Sequence, residues 1–259
     1  MSIAKKVVVV AGVGNGSGTG AAVARLFSKE GYAVALLARD KDSLDKFEKE
    51  LNDLPGGEAV AFPLSSYSAE AITSAWTSIK QRFTNPTYEI RVAVWNAGHT
   101  VFKKFLDVTP EDVQQSTQVN IVGAFSFSRE AILTFKENTL EAGNGKRGAL
   151  IFTGATASLR GNVFTSAFAS AKFALRALSQ SLSKEFGKEN IHVAHAIIDG
   201  GEPYRSWARV SLSKGPEWEQ NEDVRLNAES IANSYLYLVK QDRSAWTWEL
   251  DLRPAHEKW

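Results

Sequence analysis

Apolar positions along this chain fall into two alternating kinds, short β-branched runs and longer segments with helical spacing. "KKVVVVAG" is an unbroken apolar run closing on glycine, the pattern of a strand buried on both faces. "AAVARLFSKEG" has helical spacing and a terminal glycine, "YAVALLAR" reads as a second buried strand, and "DSLDKFEKELNDL" as an amphipathic helix with Asp42 as its expected cap. This order predicts a parallel sheet with helices on both faces. It continues with strands at "EAVAFPL", "IRVAVWNAG", "GALIFTGA" and "IHVAHAIID". Between them stand helices at "AEAITSAWTSIKQRF", one long helical region over 110–140, and "SAFASAKFALRALSQSLSKEFG". A last helix near 228–239 and a strand at "TWELDLR" complete an α/β fold, a doubly wound parallel sheet of about seven strands. "EAGNGKRG" and 200–226 read as loops, and the second is long enough to expect a substrate-side function.

Composition narrows the function classes. At 259 residues, 44% hydrophobic and 23% charged, the chain can bury a substantial core, and one domain spanning 1–259 is expected. A formal net charge of +1 argues against nucleic-acid and membrane-surface partners. The lack of cysteine excludes disulfides, thiolate metal sites and cysteine nucleophiles, and it fits a reducing compartment. The apolar run after the first two lysines is too short for a signal-peptide core or a membrane span, so the cytoplasm is the expected location. His99, His192, His195 and His256 form no helical pair or carboxylate constellation, and no metal site is expected.

Candidate chemistry begins at "AGVGNGSGTG", between the first strand and the first helix. Gly12, Gly16 and Gly18, with Asn15, Ser17 and Thr19 in the same turn, allow backbone amides to approach a pyrophosphate at a helix N-terminus. The bland reading is a tight strand-to-helix connection. At the end of the second strand Ala38 occupies the place where an acid would hold both ribose hydroxyls of NAD. Arg39, about twenty residues beyond the glycines, offers a cation for the 2′-phosphate of NADP, so NADP(H) is the expected cofactor. The alternative is a surface arginine paired with Asp40.

With these residues in place, the sequence resembles the short-chain dehydrogenase/reductase family over nearly its whole length. The matching positions are Gly12, Gly16 and Gly18, "NAG" at 96–98, Asn120 in "VNIVGAF", and Lys172. The resemblance implies a single Rossmann-like domain, a nicotinamide dinucleotide, and hydride transfer served by Ser, Tyr, Lys and Asn. It implies further that Asn96 and Gly98 lie at the cofactor, that Lys172 holds the nicotinamide ribose, and that Asn120 holds a water on a proton relay. It also places "IIDGGEPY" at the nicotinamide carboxamide, with Asp199 in place of the usual proline. Two readings of Asp199 stand, a base beside nicotinamide or a turn cap through its own backbone.

Two family positions do not match. The tyrosine position, four residues before Lys172 and on the same helical face, is Phe168; the serine position, thirteen residues earlier, is Ala155. No tyrosine lies between Tyr88 and Tyr204 to replace it. A tyrosine hydroxyl beside an ammonium can protonate an alkoxide as hydride arrives, and phenyl cannot. Its loss costs about a hundred- to ten-thousandfold, while positioning survives. An ordinary ketone suffers most, and an iminium or activated enone least.

Other hydroxyls stand near the vacated positions. Thr156, Ser158 and Tyr204 are candidates for substrate contact; Thr153 and Thr156 can instead bond strand-end backbone, and Ser170 lies around the helix from Phe168. His99 follows "NAG", either lining the cleft or serving as an ordinary loop residue. Trp207, Trp218, Trp246, Trp248 and Trp259 crowd the C-terminal third. They fit either an apolar or aromatic small-molecule substrate or subunit packing, and a homodimer or homotetramer is expected. Three functions remain: an NADPH-dependent reductase of a C=O, C=N or activated C=C bond with non-standard proton delivery; a non-redox isomerase or cyclase using bound nucleotide and an apolar cleft as template; and an inert NADP(H)-binding sensor.

Overall fold

Strand β1 (Lys5–Ala11) carries four consecutive valines that are fully buried because helices cover both faces of the strand. In the computed structural model, which describes residues 4–199 and 221–256, β1 pairs in parallel with β2 (Ala33–Ala38) and β4 (Tyr88–Trp95). β3 (Ala59–Pro63) extends the sheet beyond β2; β5 (Gly148–Thr153), β6 (Ile191–Ile198) and β7 (Glu249–Leu252) extend it beyond β4. The sheet has seven strands in the order β3-β2-β1-β4-β5-β6-β7, all pairings parallel. This is the Rossmann-like architecture that the alternating pattern predicts.

Alternate valines of β1 face different layers, as the two-residue period requires. Val8 and Val10 pack with Val23 and Phe27 of α1 (Thr19–Lys29), Leu44 and Phe47 of α2 (Lys41–Asn52), and Ile231 and Tyr235 of α7 (Ala228–Lys240). Val7 and Val9 join the opposite layer with Ile72 and Trp76 of α3 (Ala69–Arg82), Phe127 and Phe135 of α5 (Ala124–Glu137), and Leu175 and Leu178 of α6 (Ser166–Phe186). Each such large side chain removed from water contributes about 1.5–3 kcal/mol before conformational entropy is counted. Among the described residues no helix is long and apolar enough to cross a membrane.

The structure corrects two local expectations. The cap of α2 is Asp40, whose carboxylate accepts from the Ser43 backbone N–H and hydroxyl (3.4 and 2.9 Å), while Asp42 lies inside the first turn. The region 110–140 is not one regular helix: α4 (Pro110–Thr117) and α5 are joined by a π-helical segment, Gln118–Gly123. A Cβ on Gly123 would stand 2.9 Å from both the Trp95 ring and the Tyr67 carbonyl oxygen, so the wider turn packs glycine backbone directly onto the end of β4.

The strand order reverses between β1 and β4, and their following loops diverge to leave a crevice at the carboxyl ends. The glycine turn, "NAG", and the segment after β5 all open onto it.

Candidate active site

Gly12 is required by sterics: its φ is +92°, and a Cβ there would stand 2.4 Å from the Ala97 nitrogen. Asn96 holds this contact from the other side, donating from Nδ2 to the Gly12 carbonyl at 2.8 Å. Asn96 therefore ties β4 to the glycine turn, while its buried Oδ1 has no partner among the described residues. Gly18 differs, since with φ +79° a Cβ would meet nothing within 4 Å. It caps α1 without a side-chain bond, and no acid occupies the first turn, so the helix N-terminus faces open space with positive potential. Gly16 lies over Phe47, and Arg25 donates to the Gly16 carbonyl at 2.8 Å while paired with Glu50. Ser17 donates to Asn15 Oδ1 at 2.6 Å, so these two polar side chains bond each other within the turn. Thr19 begins α1 and is buried. The arrangement fits a dinucleotide pyrophosphate by room, donor type and sign of potential.

Arg39 is exposed and does not pair with Asp40, which serves α2. Its guanidinium lies 5.3 Å from the Tyr67 ring centroid, and among the described residues no carboxylate partners it. Burial first, and the Arg39 charge second, push the His99 imidazole below its ordinary pKa.

Gly98, Asn120 and Lys172 converge on one point although they come from β4's end, the π-helical segment and α6. A Cβ on Gly98 would stand 3.5 Å from Asn120 Oδ1 and 3.6 Å from Lys172 Nζ. Gly98 is exposed, and Asn120 and Lys172 are buried beneath it. Asn120 is fully buried and fixed: its Nδ2 donates to the carbonyls of His99 and Ser116 at 2.9 and 3.0 Å. Lys172 Nζ donates to the Thr153 carbonyl at 2.9 Å. Burial pushes the ammonium down to about 8 from 10.5, and no carboxylate among the described residues pairs with it. Phe168 presents its ring 5.7 Å from Nζ, at the distance of a cation–π contact.

Where the resemblance leads one to expect serine, no side-chain hydroxyl stands in that place among the described residues. Ala155 carries a methyl group, and its backbone N–H donates to the fully buried Ser158 hydroxyl at 3.2 Å. Thr153 and Thr156 do not bond strand-end backbone through their hydroxyls: Thr153 meets the Tyr235 hydroxyl at 2.8 Å, and Thr156 donates to Asp199. Asp199 is held further by Arg253 at 2.6 Å. Its carboxylate bridges a threonine and an arginine that sequence spacing could not bring together. Ser170 returns to the Ser166 carbonyl and is exposed, away from the site. Tyr204, Trp207, Trp218, Trp259 and most of the loop 200–226 lie outside the described residues.

Beneath the floor lies a network that the sequence gives no signal for. His195 on β6 is fully buried, with Nδ1 3.0 Å from Glu249 on β7, and Arg176 of α6 grips the same carboxylate at 2.6 and 2.8 Å. A carboxylate only accepts, so Nδ1 carries the proton and the ring is neutral; burial pushes its pKa down to about 4. Gly154 is the reason the ring fits, since a Cβ there would stand 2.2 Å from His195 Nε2. Among the described residues no group of three metal-ligating side chains forms.

The family model described as short chain dehydrogenase matches residues 6–200. An uncharacterized oxidoreductase YxnA from Bacillus subtilis (strain 168) is 31% identical over 242 residues, covering 92% of this chain, which spans 64% of that protein's length. A 3alpha-hydroxysteroid dehydrogenase from Mediterraneibacter gnavus is 27% identical over 201 residues, 77% of this chain and 75% of that protein. Among solved structures, a short-chain dehydrogenase from Rhodopseudomonas palustris superposes with a TM-score of 0.75 at 29% identity, covering 96% of this chain and 98% of that one.

Proposed function

The chain belongs to the short chain dehydrogenase family of oxidoreductases, and from that premise we propose that it is an NADPH-dependent reductase of a C=O, C=N or activated C=C bond that works without a tyrosine acid. The observation that carries this reading is the convergence of Lys172 Nζ and Asn120 Oδ1 at the exposed Gly98, with Phe168 and Ala155 standing where tyrosine and serine would. The open helix N-terminus after Gly18 would hold the pyrophosphate, and Arg39, which meets no carboxylate among the described residues, the 2′-phosphate. When bound, the reduced nicotinamide supplies a hydride. The protein then has to position an acceptor, exclude water and provide a proton. Ala155 and Phe168 line the site with apolar surface in place of a polar pair, and Phe102, Val163 and Phe164 are exposed nearby in sequence, which supports an apolar or aromatic small-molecule substrate.

Calorimetric titration with NADPH, NADP, NADH and NAD, followed by an NADPH-oxidation screen over ketones, quinones, imines and enones, tests the reading. Tight NADPH binding with turnover of activated acceptors is expected. Tight binding with no turnover overturns the reductase in favour of a template or sensor, and no binding removes the cofactor.

A further inference from the structure

We propose that the substrate carries its reducible group at one end of a long apolar chain, and that an arch made by Phe102 and Phe164 at the mouth of the crevice holds that chain. The inference rests on the reductase reading and deepens it by naming the substrate class.

The arch is built from two turns with unusual residues at their tips. One, at 104–107, closes with the Asp107 N–H donating to the Lys104 carbonyl at 2.9 Å, and it carries Phe105 and Leu106. The other, at 162–165, closes with the Thr165 N–H and hydroxyl donating to the Asn162 carbonyl at 3.1 and 2.9 Å, and it carries Val163 and Phe164. Glycine, asparagine, aspartate and proline ordinarily fill such positions because they suit the backbone of a turn. Here four large apolar side chains fill them and all four are exposed, so core packing does not account for their type. Phe164 adds backbone strain, since its φ is +69°, a region that a phenylalanine keeps only where its surroundings hold it there. The holding contacts come from the other loop. The Lys103 N–H donates to the Phe164 carbonyl at 2.9 Å, and the Phe102 and Phe164 ring centroids lie 5.3 Å apart.

Position ties the arch to the site. Phe102 stands four residues beyond Gly98 in the loop after β4, and Phe164 stands four residues before Phe168 of α6. Four residues span at most about 14 Å, so the joined loops lie within that reach of both the exposed glycine and the phenyl ring beside Lys172. Exposure rises outward along this path: Phe168 is half-buried, Phe164 is 38% exposed, Phe102 49%, Phe105 75% and Leu106 93%. A small acceptor that ended at Phe168 would gain nothing from these side chains. An unbranched chain on the order of ten carbons covers the reach, and it removes apolar surface of both partners from water.

The test uses the full chain. With NADPH, kcat/KM for a series of 2-alkenals of rising length should increase about two- to fourfold per methylene, the gain from burying one, and level off at about ten carbons. Phe164→Asn tolerates the positive φ, so it should flatten that rise and lift KM for the long members by about tenfold or more, with a urea midpoint reporting an intact fold. If that variant fails to fold, Phe102→Ser and the following binding measurement decide. The chain has no cysteine, so Leu106→Cys takes a single polarity-sensitive fluorophore. Decanamide, which accepts no hydride, should shift its emission to the blue, and butanamide should not. A kcat/KM independent of chain length, or a rise that Phe164→Asn leaves unaltered, would overturn the subsite. A blue shift on concentrating the labelled protein alone would assign the tips to a contact between copies, and one given by phosphatidylcholine vesicles but not by decanamide would assign them to a lipid surface; either overturns the proposal. If no acceptor oxidises NADPH while decanamide still shifts the label, the reductase reading falls and the chain-binding arch stands.

Discussion

Phe168 stands four residues before Lys172 on α6, and its ring lies 5.7 Å from Nζ. Phe168→Tyr is expected to raise turnover of a simple ketone by about tenfold, because a general acid is restored while the serine that would orient it remains an alanine. Steady-state rates on matched ketone and enone substrates check this, and a gain on both alike would mean that the phenyl ring does not select the acceptor. Arg39 makes a second residue-scale prediction. Its guanidinium has only the Tyr67 ring beside it among the described residues, so Arg39→Ala should weaken NADPH about tenfold or more by calorimetry and leave NADH within about twofold. Equal weakening of both would assign Arg39 to general electrostatics.

The element that positions the site is the π-helical segment between α4 and α5. Its extra residue per turn places Asn120 inward and brings Gly123 onto Trp95, which also packs edge-on to Tyr67 at 5.7 Å. Gly123→Ala should therefore destabilise the fold by about 1–3 kcal/mol, the range for overpacking, and displace Asn120 enough to lower kcat. Chemical denaturation and kinetics on the same preparation separate the two effects. Unaltered stability would show that the Trp95 ring yields freely. Helical periodicity runs through 110–140 without a break, because the buried Ser116, Val119, Asn120, Gly123, Ala124 and Phe127 keep the three- and four-residue spacing of an ordinary helix and leave the wider turn unmarked in the sequence. The cap of α2 has a similar cause: Asp40 and Asp42 are both acceptable caps by type, and the turn geometry at the end of β2 decides for Asp40.

For the molecule as a whole, buried titratable groups set the pH dependence of stability. Burial pushes His192 and His195 down to about 4 from 6.5, so between those values the unfolded chain binds more protons. Their contribution is complete above about pH 6.5 and is lost as pH falls toward 4, on the order of 3 kcal/mol for each. Urea midpoints measured across this window should fall with pH, and His195→Gln should flatten the slope. Lys146 and Lys172, both lowered to about 8, act with the same sign at higher pH, so these two groups favour folding more as pH rises from 8 toward 10. The sequence by itself determined the α/β class, the seven strands and the parallel sheet, because a buried parallel strand must be apolar on both faces and a flanking helix on one. It also exposed the glycine turn, a statement about residue type at fixed spacing, and resemblance to the family marked Phe168 as the position where a tyrosine is expected. What only the tertiary structure decided is which groups meet. Lys172 is buried with no carboxylate partner among the described residues, Asp199 is held between Thr156 and Arg253, and His195 is neutral against Glu249. Those contacts join residues dozens of positions apart, and local periodicity carries no information about them. Burial, which fixes whether each group holds its proton, exists only once the strands have assembled.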